Sequence, residues 1–190
     1  MRRAEFDHVI RAAADIVDDE LVVIGSQAIL AEHPDAPEEL LRSQEVDLFP
    51  RHAPERSIEI DANIGDGSAF HATYGYYAHG VGPETLRYAP AGWQDRLVRL
   101  ELPGHRGERA IAWCLSTHDL ILAKLAAGRP PRDIDFVEAA LKAGIVDVDQ
   151  LRLGVELLPD EVRKTTKDRL EGILTHLARV SELESSEHEL

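Results

Sequence analysis

The sequence contains few of the features that mark secreted or membrane proteins. Its 190 residues include a single cysteine, Cys114, which excludes an internal disulfide framework and is typical of a reducing compartment. The basic N-terminus is not followed by a continuous apolar run, so the sequence does not predict a signal peptide. No stretch approaches the roughly 20 apolar residues of a membrane-spanning helix. We therefore expect a cytoplasmic protein with no membrane partner.

Positive charge is also scarce in this chain. It has 21 Lys and Arg against 35 Asp and Glu, a net charge of −14. This argues against a protein that coats nucleic acids non-specifically, because phosphate binding depends on basic residues. Residues 87–132 are the exception, with eight basic and four acidic residues. This middle segment is therefore expected to attract an anionic ligand.

The apolar pattern predicts an α+β fold, in which a small mixed sheet is flanked by helices and followed by a C-terminal helical cap. We expect a core over residues 1–115, a helical region over 116–180 that completes the site, and an acidic, frayed tail over 181–190. The glycine- and aromatic-rich stretch 65–83 has no predicted element. Strands are predicted at 21–24, 45–49, 96–102 and 110–115, and helices at 3–18, 26–32, 54–63, 117–127, 130–143, after 147 and at 159–180.

Two short motifs at strand ends carry the clearest chemical signal. Glu45 and Asp47 are two residues apart on a predicted strand, so their carboxylates share one face and have the geometry to hold divalent metal ions. Gly25 and Ser26 follow the preceding strand, and Ser26 is predicted to cap the next helix. Their backbone N–H groups could bind the phosphates of a nucleoside triphosphate. The alternative is a solvated strand face beside an ordinary turn.

Two ionisable residues fall on the inward faces of consecutive predicted helices. Lys124 lies between Leu120 and Ile121 on the helical wheel, so it either snorkels along the helix edge or points into a polar cavity. Asp133 shares the apolar face of the next helix, whereas Asp135 lies on its solvated side. Stabilisation of the helix dipole explains Asp135 fully, but it does not require the inward position of Asp133. Two inward groups of opposite sign indicate a site.

The glycine-rich stretch holds three of the four tyrosines. Tyr74, Tyr76 and Tyr77, flanked by His71 and His79, could stack on a base or on an acceptor molecule. Alternatively, the rings pack onto the sheet. The spacing of the two histidines matches no familiar pattern of metal ligands.

In their order along the chain, these motifs resemble those of the minimal nucleotidyltransferases of the AbiEii type, within the DNA polymerase beta-like superfamily. The resemblance covers about residues 20–145 and rests on Gly25-Ser26, the segment 42–48, the helix of Lys124, and Arg132-Asp133. It implies that Mg²⁺ or Mn²⁺ is bound by Glu45 and Asp47. It also implies that Asp133 acts as a base or an orienting group, and that the triphosphate is bound by Gly25, Ser26, Lys124 and Arg129.

The resemblance further implies transfer of a nucleotide from a nucleoside triphosphate to an RNA, such as the 3′ end of a tRNA, or to a protein hydroxyl. Some such proteins are toxins with a cognate antitoxin protein. The chain departs from the family in having Glu45 where Asp is usual, in a longer interval after Gly25, and in lacking an obvious third metal-binding carboxylate, for which Glu101 and Asp61 are candidates. Two alternatives stay open: a catalytically degenerate module that binds nucleotide or a protein, and a structural module that associates through its last helix.

Overall fold

The structure, a computed structural model, describes residues 1–104 and 108–187. Within these ranges the chain has the predicted α+β fold, a five-stranded mixed sheet with helices around it. The strands are β1 Leu21–Ile24, β2 Glu45–Pro50, β3 Tyr77–Gly80, β4 Val98–Pro103 and β5 Arg109–Cys114. The helices are α1 Arg3–Val17, α2 Ser57–Ile64, α3 Ala69–Tyr74, α4 Thr117–Ala127, α5 Arg132–Lys142, α6 Val148–Val155 and α7 Asp160–Glu187.

The strands lie in the order β3-β2-β1-β5-β4. β1 is antiparallel to β2 and parallel to β5. At the edges, β3 runs parallel to β2, and β4 runs antiparallel to β5. The two strands that carry the sequence motifs, β1 and β2, are therefore neighbours near the centre of the sheet.

The two faces of the sheet have different surroundings. Val23 and Leu48 belong to the main core, into which α1 packs through Phe6 and other apolar residues. Ile24 and Phe49 belong to a separate, small apolar cluster on the opposite face. Because side chains alternate along a strand, Glu45 and Asp47 lie on the same face as Phe49. The carboxylates therefore point away from the main core, toward a partly covered surface.

The helices after β5 pack around α4. The side chain of Ser116 caps α4 by accepting a hydrogen bond from the N–H of Asp119, at 3.3 Å, and Gly128 ends the helix in the left-handed conformation, with φ of 55°. Helices α5, α6 and α7 all contact α4. Helix α7 continues past its predicted end at Val180, and residues 188–190 of the predicted tail lie outside the described residues. None of the described helices is both long and apolar enough to cross a membrane.

The stretch 65–83, which had no predicted element, contains α3 and β3. Ser68 caps α3 by accepting a hydrogen bond from the N–H of His71, and Gly75 ends this helix with φ of 77°. β3 then pairs with β2, with Tyr77 opposite Glu45 and His79 opposite Asp47. Both elements are too short to give a clear periodic pattern, which explains why the sequence did not predict them.

The prediction that Ser26 caps a helix was wrong. Residues Ser26–Ala31 form a 3₁₀ turn, with Gly25 at the capping position and no capping hydrogen bond from a side chain. Gly25 has φ of 70°, in the left-handed region. A Cβ atom at this position would lie 2.0 Å from Oδ2 of Asp47. Glycine is therefore required here by both the backbone conformation and the close approach of Asp47.

We predict that Gly25→Ala destabilises the protein more than Gly67→Ala does. Gly67 also has a positive φ, 74°, but a Cβ there would have no atom within 4 Å. The control therefore measures the backbone strain alone, while Gly25→Ala adds an overpacking cost of about 1 to 3 kcal/mol. Chemical denaturation of both variants gives the comparison. Equal losses of unfolding free energy would mean that Asp47 moves aside without cost.

Candidate functional site

A cavity of about 320 Å³ lies on the carboxylate-bearing face of the sheet, where β1 and β2 meet α4 and the start of α5. Its floor is formed by the ends of these strands, and apolar side chains of the segment 81–89 form one wall. Charged groups of both signs and one imidazole converge on it. They are Glu45, Asp47, His79, Lys124, Arg129 and Arg132.

The two carboxylates are held by neighbours on two elements. Tyr77 on β3 donates its hydroxyl to Oε2 of Glu45 at 3.1 Å, and Arg132 at the start of α5 donates to Oε1 at 2.7 Å. Nδ1 of His79 lies 3.0 Å from Oδ1 of Asp47, within hydrogen-bond distance. The parallel register of β2 and β3 produces the Tyr77 and His79 contacts, since each partner lies directly opposite its carboxylate.

The surroundings of these groups set their charge states. Burial raises the pKa of Asp47, and the negative charge of Glu45 adds to this, while the hydrogen bond from His79 opposes it. Burial and the hydrogen bond to Glu45 raise the pKa of Tyr77 to about 12. Tyr77 therefore remains a protonated donor at neutral pH. A cation near Asp47 would reduce the cost of ionising it.

The residues around Asp47 fit a divalent metal ion. Glu45, Asp47 and His79 each offer a ligand atom, and the three atoms lie within 4.8 Å of one another. Carboxylate oxygens suit hard divalent cations, and an imidazole nitrogen is a common ligand of transition metals. The absence of a side chain at Gly25 leaves room for Asp47 in this position.

On the opposite side of the cavity, a buried ion pair joins α4 to α5. Nζ of Lys124 lies 3.2 Å from Oδ1 of Asp133, and both side chains are almost fully buried. Arg129 donates to Oδ2 of the same carboxylate from its backbone N–H at 3.1 Å and from Nε at 2.8 Å. The inward placement that the helical wheel predicted for Asp133 is thus confirmed, and of the two alternatives for Lys124 the structure shows the buried one.

The pKa values of this pair follow from its burial and contacts. Burial lowers the pKa of Lys124, an effect opposed by the charge of Asp133. Burial alone would raise the pKa of Asp133, but hydrogen bonds from Arg129 and the charge of Lys124 outweigh it and hold that pKa below its ordinary value. Asp133 is therefore an anion that orients two cations. Lys124 and Arg129 line the cavity, while Asp133 lies behind them.

Most of the site residues predicted from the sequence come together in one place. Those of the predicted site residues that line the cavity are Gly25, Ser26, Glu45, Asp47, Lys124 and Arg129. Ser26 presents a nearly buried side chain at the end of β1. Asp133 does not line the cavity, and it is connected to these residues only through the two cations that it contacts, Lys124 and Arg129.

The structure does not bring Glu101 to the site. Its strand, β4, is separated from β2 by β5 and β1, and its carboxylate is paired with Arg99 and Arg109. Asp61 on α2 is also not part of the cluster, and it accepts a hydrogen bond from the backbone N–H of Gly80 at 3.4 Å. Among the described residues, His79 takes the third position beside Glu45 and Asp47.

The aromatic residues of the stretch 65–83 divide into two groups. The ring of Tyr74 lies 4.7 Å from His8 and 4.8 Å from Phe70, so it packs against the body of the protein rather than facing the cavity. His71 lies against Tyr77, with 4.6 Å between the ring centres. His71 and Tyr77 therefore reach the carboxylates through a single hydrogen bond, the one from Tyr77 to Glu45.

Sequence reasoning missed His79 and Arg132 as members of the site. The alternation of Tyr77, Ala78 and His79 is a weak strand signal, which the surrounding glycines obscure. Arg132 was recognised only as part of a motif, because nothing local indicates that it reaches Glu45, 87 positions earlier in the chain.

The candidate site thus combines two carboxylates and a glycine-serine turn of a mixed sheet with a cavity lined by cations. Residues 4–169 match the model of the family described as "Nucleotidyltransferase of unknown function (DUF6036)", and the chain belongs to this family. No match was found among curated proteins or among solved structures.

We predict that Asp133→Ala destabilises the fold by about 3 to 5 kcal/mol, because it leaves Lys124 buried without its partner. Lys124→Met should cost much less, since Asp133 keeps its hydrogen bonds from Arg129. Denaturation of both variants at neutral pH tests this order. The pKa of Asp133 is lowered from 3.8 in the folded protein. The contribution of its charge to the free energy of unfolding is therefore complete above pH 3.8, and it is lost as the pH falls through the lower folded-state pKa. A larger loss for Lys124→Met would contradict the assignment.

Proposed function

We propose that this protein is a divalent-metal-dependent nucleotidyltransferase of the AbiEii-like type, which moves a nucleotide from a nucleoside triphosphate to a hydroxyl acceptor. One observation carries the proposal: Glu45 and Asp47, which form with His79 a cluster able to bind a metal ion, share a single cavity with Lys124, Arg129 and Arg132. A triphosphate needs both a metal ion and cationic side chains, because the side chains neutralise the part of the phosphate charge that the metal ion does not. The site is built by the core, residues 1–115, together with the helical region, residues 116–180.

The metal-binding end of the cavity would position the reacting phosphate. A Mg²⁺ or Mn²⁺ ion bound by Glu45 and Asp47 would supply Lewis-acid polarisation of the triphosphate and of the attacking hydroxyl. Tyr77 fixes the orientation of Glu45, and Gly25 leaves space for Asp47. The carboxylates are thus held before the substrate arrives, which reduces the reorganisation needed for reaction.

The cationic side of the cavity would bind the departing pyrophosphate. Lys124 is only 6 % exposed and faces the cavity, so its charge acts in a poorly solvated environment where electrostatic attraction is strong. Arg129 and Arg132 are 64 % and 53 % exposed, so phosphate oxygens can approach their guanidinium groups. Asp133 orients Lys124 and Arg129, and Ser26 offers a hydroxyl at the end of β1.

The acceptor in this proposal is an RNA end, such as the 3′ end of a tRNA. A net charge of −14 disfavours extensive contact with a phosphate backbone, so an acceptor that enters the cavity by one terminus fits better than a long duplex. A protein hydroxyl is the second acceptor class. A cytoplasmic location and a role as a toxin restrained by an antitoxin protein belong to the same proposal.

Incubation with each labelled nucleoside triphosphate and total RNA, with and without divalent metal, tests this function. Metal-dependent labelling of a discrete RNA band is the expected result. Labelling of protein instead would identify the second acceptor class. Metal-dependent nucleotide binding without any transfer would indicate the catalytically degenerate alternative and would overturn the proposal.

We predict that Asp47→Asn lowers the transfer rate by roughly 10³-fold or more, because the loss of a metal-ligating charge removes several kcal/mol of transition-state stabilisation. The change is nearly isosteric, so the thermal unfolding of the variant should remain close to that of the wild type. Asp168→Asn, at an exposed position on α7, is the matched control and should retain full activity. Wild-type transfer rates in Asp47→Asn would refute the role of this carboxylate.

A further inference from the structure

His79 has the position of a metal ligand rather than that of a structural partner alone. Its Nδ1 lies 3.0 Å from Oδ1 of Asp47, and half of its side chain is exposed. It lines the same cavity as Glu45 and Asp47.

The spacing of the three side chains is compatible with one shared ion. Ligand atoms on opposite sides of an ion with bonds of about 2.1 Å lie about 4.2 Å apart. The ligand atoms of Glu45, Asp47 and His79 lie within 4.8 Å of one another, so small side-chain rotations would bring all three within bonding distance of one ion. β3 fixes His79 beside Asp47 through the parallel ladder, which limits the conformations that must be lost on binding.

We propose that His79 is a ligand of the metal and that its imidazole makes the site selective for Mn²⁺ over Mg²⁺. This inference rests on the metal dependence in the proposed function. Mg²⁺ prefers oxygen ligands and water, whereas imidazole nitrogen favours transition ions. Two carboxylates and triphosphate oxygens complete a mostly oxygen set, which suits Mn²⁺ better than the softer ions.

Metal titrations of the full chain test the selectivity without nucleotide. Mn²⁺ alone is the probe, its binding is followed by the electron paramagnetic resonance of the free ion, and Mg²⁺ is the competitor. We expect Mn²⁺ to bind the wild type more tightly than Mg²⁺, because an imidazole ligand favours the transition ion. His79→Asp should remove most of this preference, while the matched charge change His176→Asp, on an exposed face of α7, should leave it intact. Equal affinity of the wild type for the two ions would overturn the proposal.

Electron spin echo modulation of the bound Mn²⁺ tests ligation directly. The wild type should show coupling to nitrogen that changes when the protein is made with isotope-labelled histidine, a measurement that needs no variant. Because the chain has nine histidines, loss of the coupling in folded His79→Asp assigns it to His79. Absent coupling, or coupling that survives the substitution, would refute the proposal. Nucleotide transfer is measured separately, so a ligand at His79 without transfer contradicts only the proposed function, and transfer without nitrogen coupling contradicts only this inference.

Discussion

The proximity of two like charges on one strand is the constraint on which the organisation of the site depends. Glu45 and Asp47 share a face of β2, and both burial and the charge of Glu45 raise the pKa of Asp47. Each carboxylate therefore has its own partners: His79 beside Asp47, and Tyr77 and Arg132 on Glu45. These partners come from β3 and from the start of α5. An edge strand and a helix in the C-terminal half thus supply the groups that compensate two charges near the centre of the sheet.

The buried pair between α4 and α5 performs a different task. Such a pair is weak evidence for stability, because desolvation of both ions offsets most of their attraction. Here Asp133 binds Lys124 and Arg129 together, so it holds two cations at the cavity wall that would otherwise separate by mutual repulsion. The cationic wall is therefore set by a residue that does not line the cavity itself. The carboxylate end and the cationic end of the cavity are built independently, on the sheet and on the helices, and meet where Arg132 pairs with Glu45.

Much of this arrangement could be predicted from the sequence, and the omissions have one main cause. Apolar periodicity predicted β1, β2 and the inward faces of α4 and α5, because each of these elements buries one side against the core. β3 was not predicted, because four residues flanked by glycines carry little periodic signal. Because β3 is not predicted, the sequence gives no indication that His79 contacts Asp47. Glu101 was a reasonable third acid by residue type, but strand order cannot be derived from local pattern, and β4 lies at the far edge of the sheet.

The contact between Gly25 and Asp47 also has a consequence for how this sequence can diverge. The missing side chain at position 25 and the carboxylate at position 47 occupy the same space, since a Cβ on Gly25 would fall 2.0 Å from Oδ2 of Asp47. A descendant that keeps the carboxylate must therefore also keep the glycine, whereas loss of Asp47 removes much of the selection on position 25. The two positions should be inherited as one unit. A substitution at Gly25 in a homologue would then mark a lineage in which this end of the site has been rebuilt or abandoned.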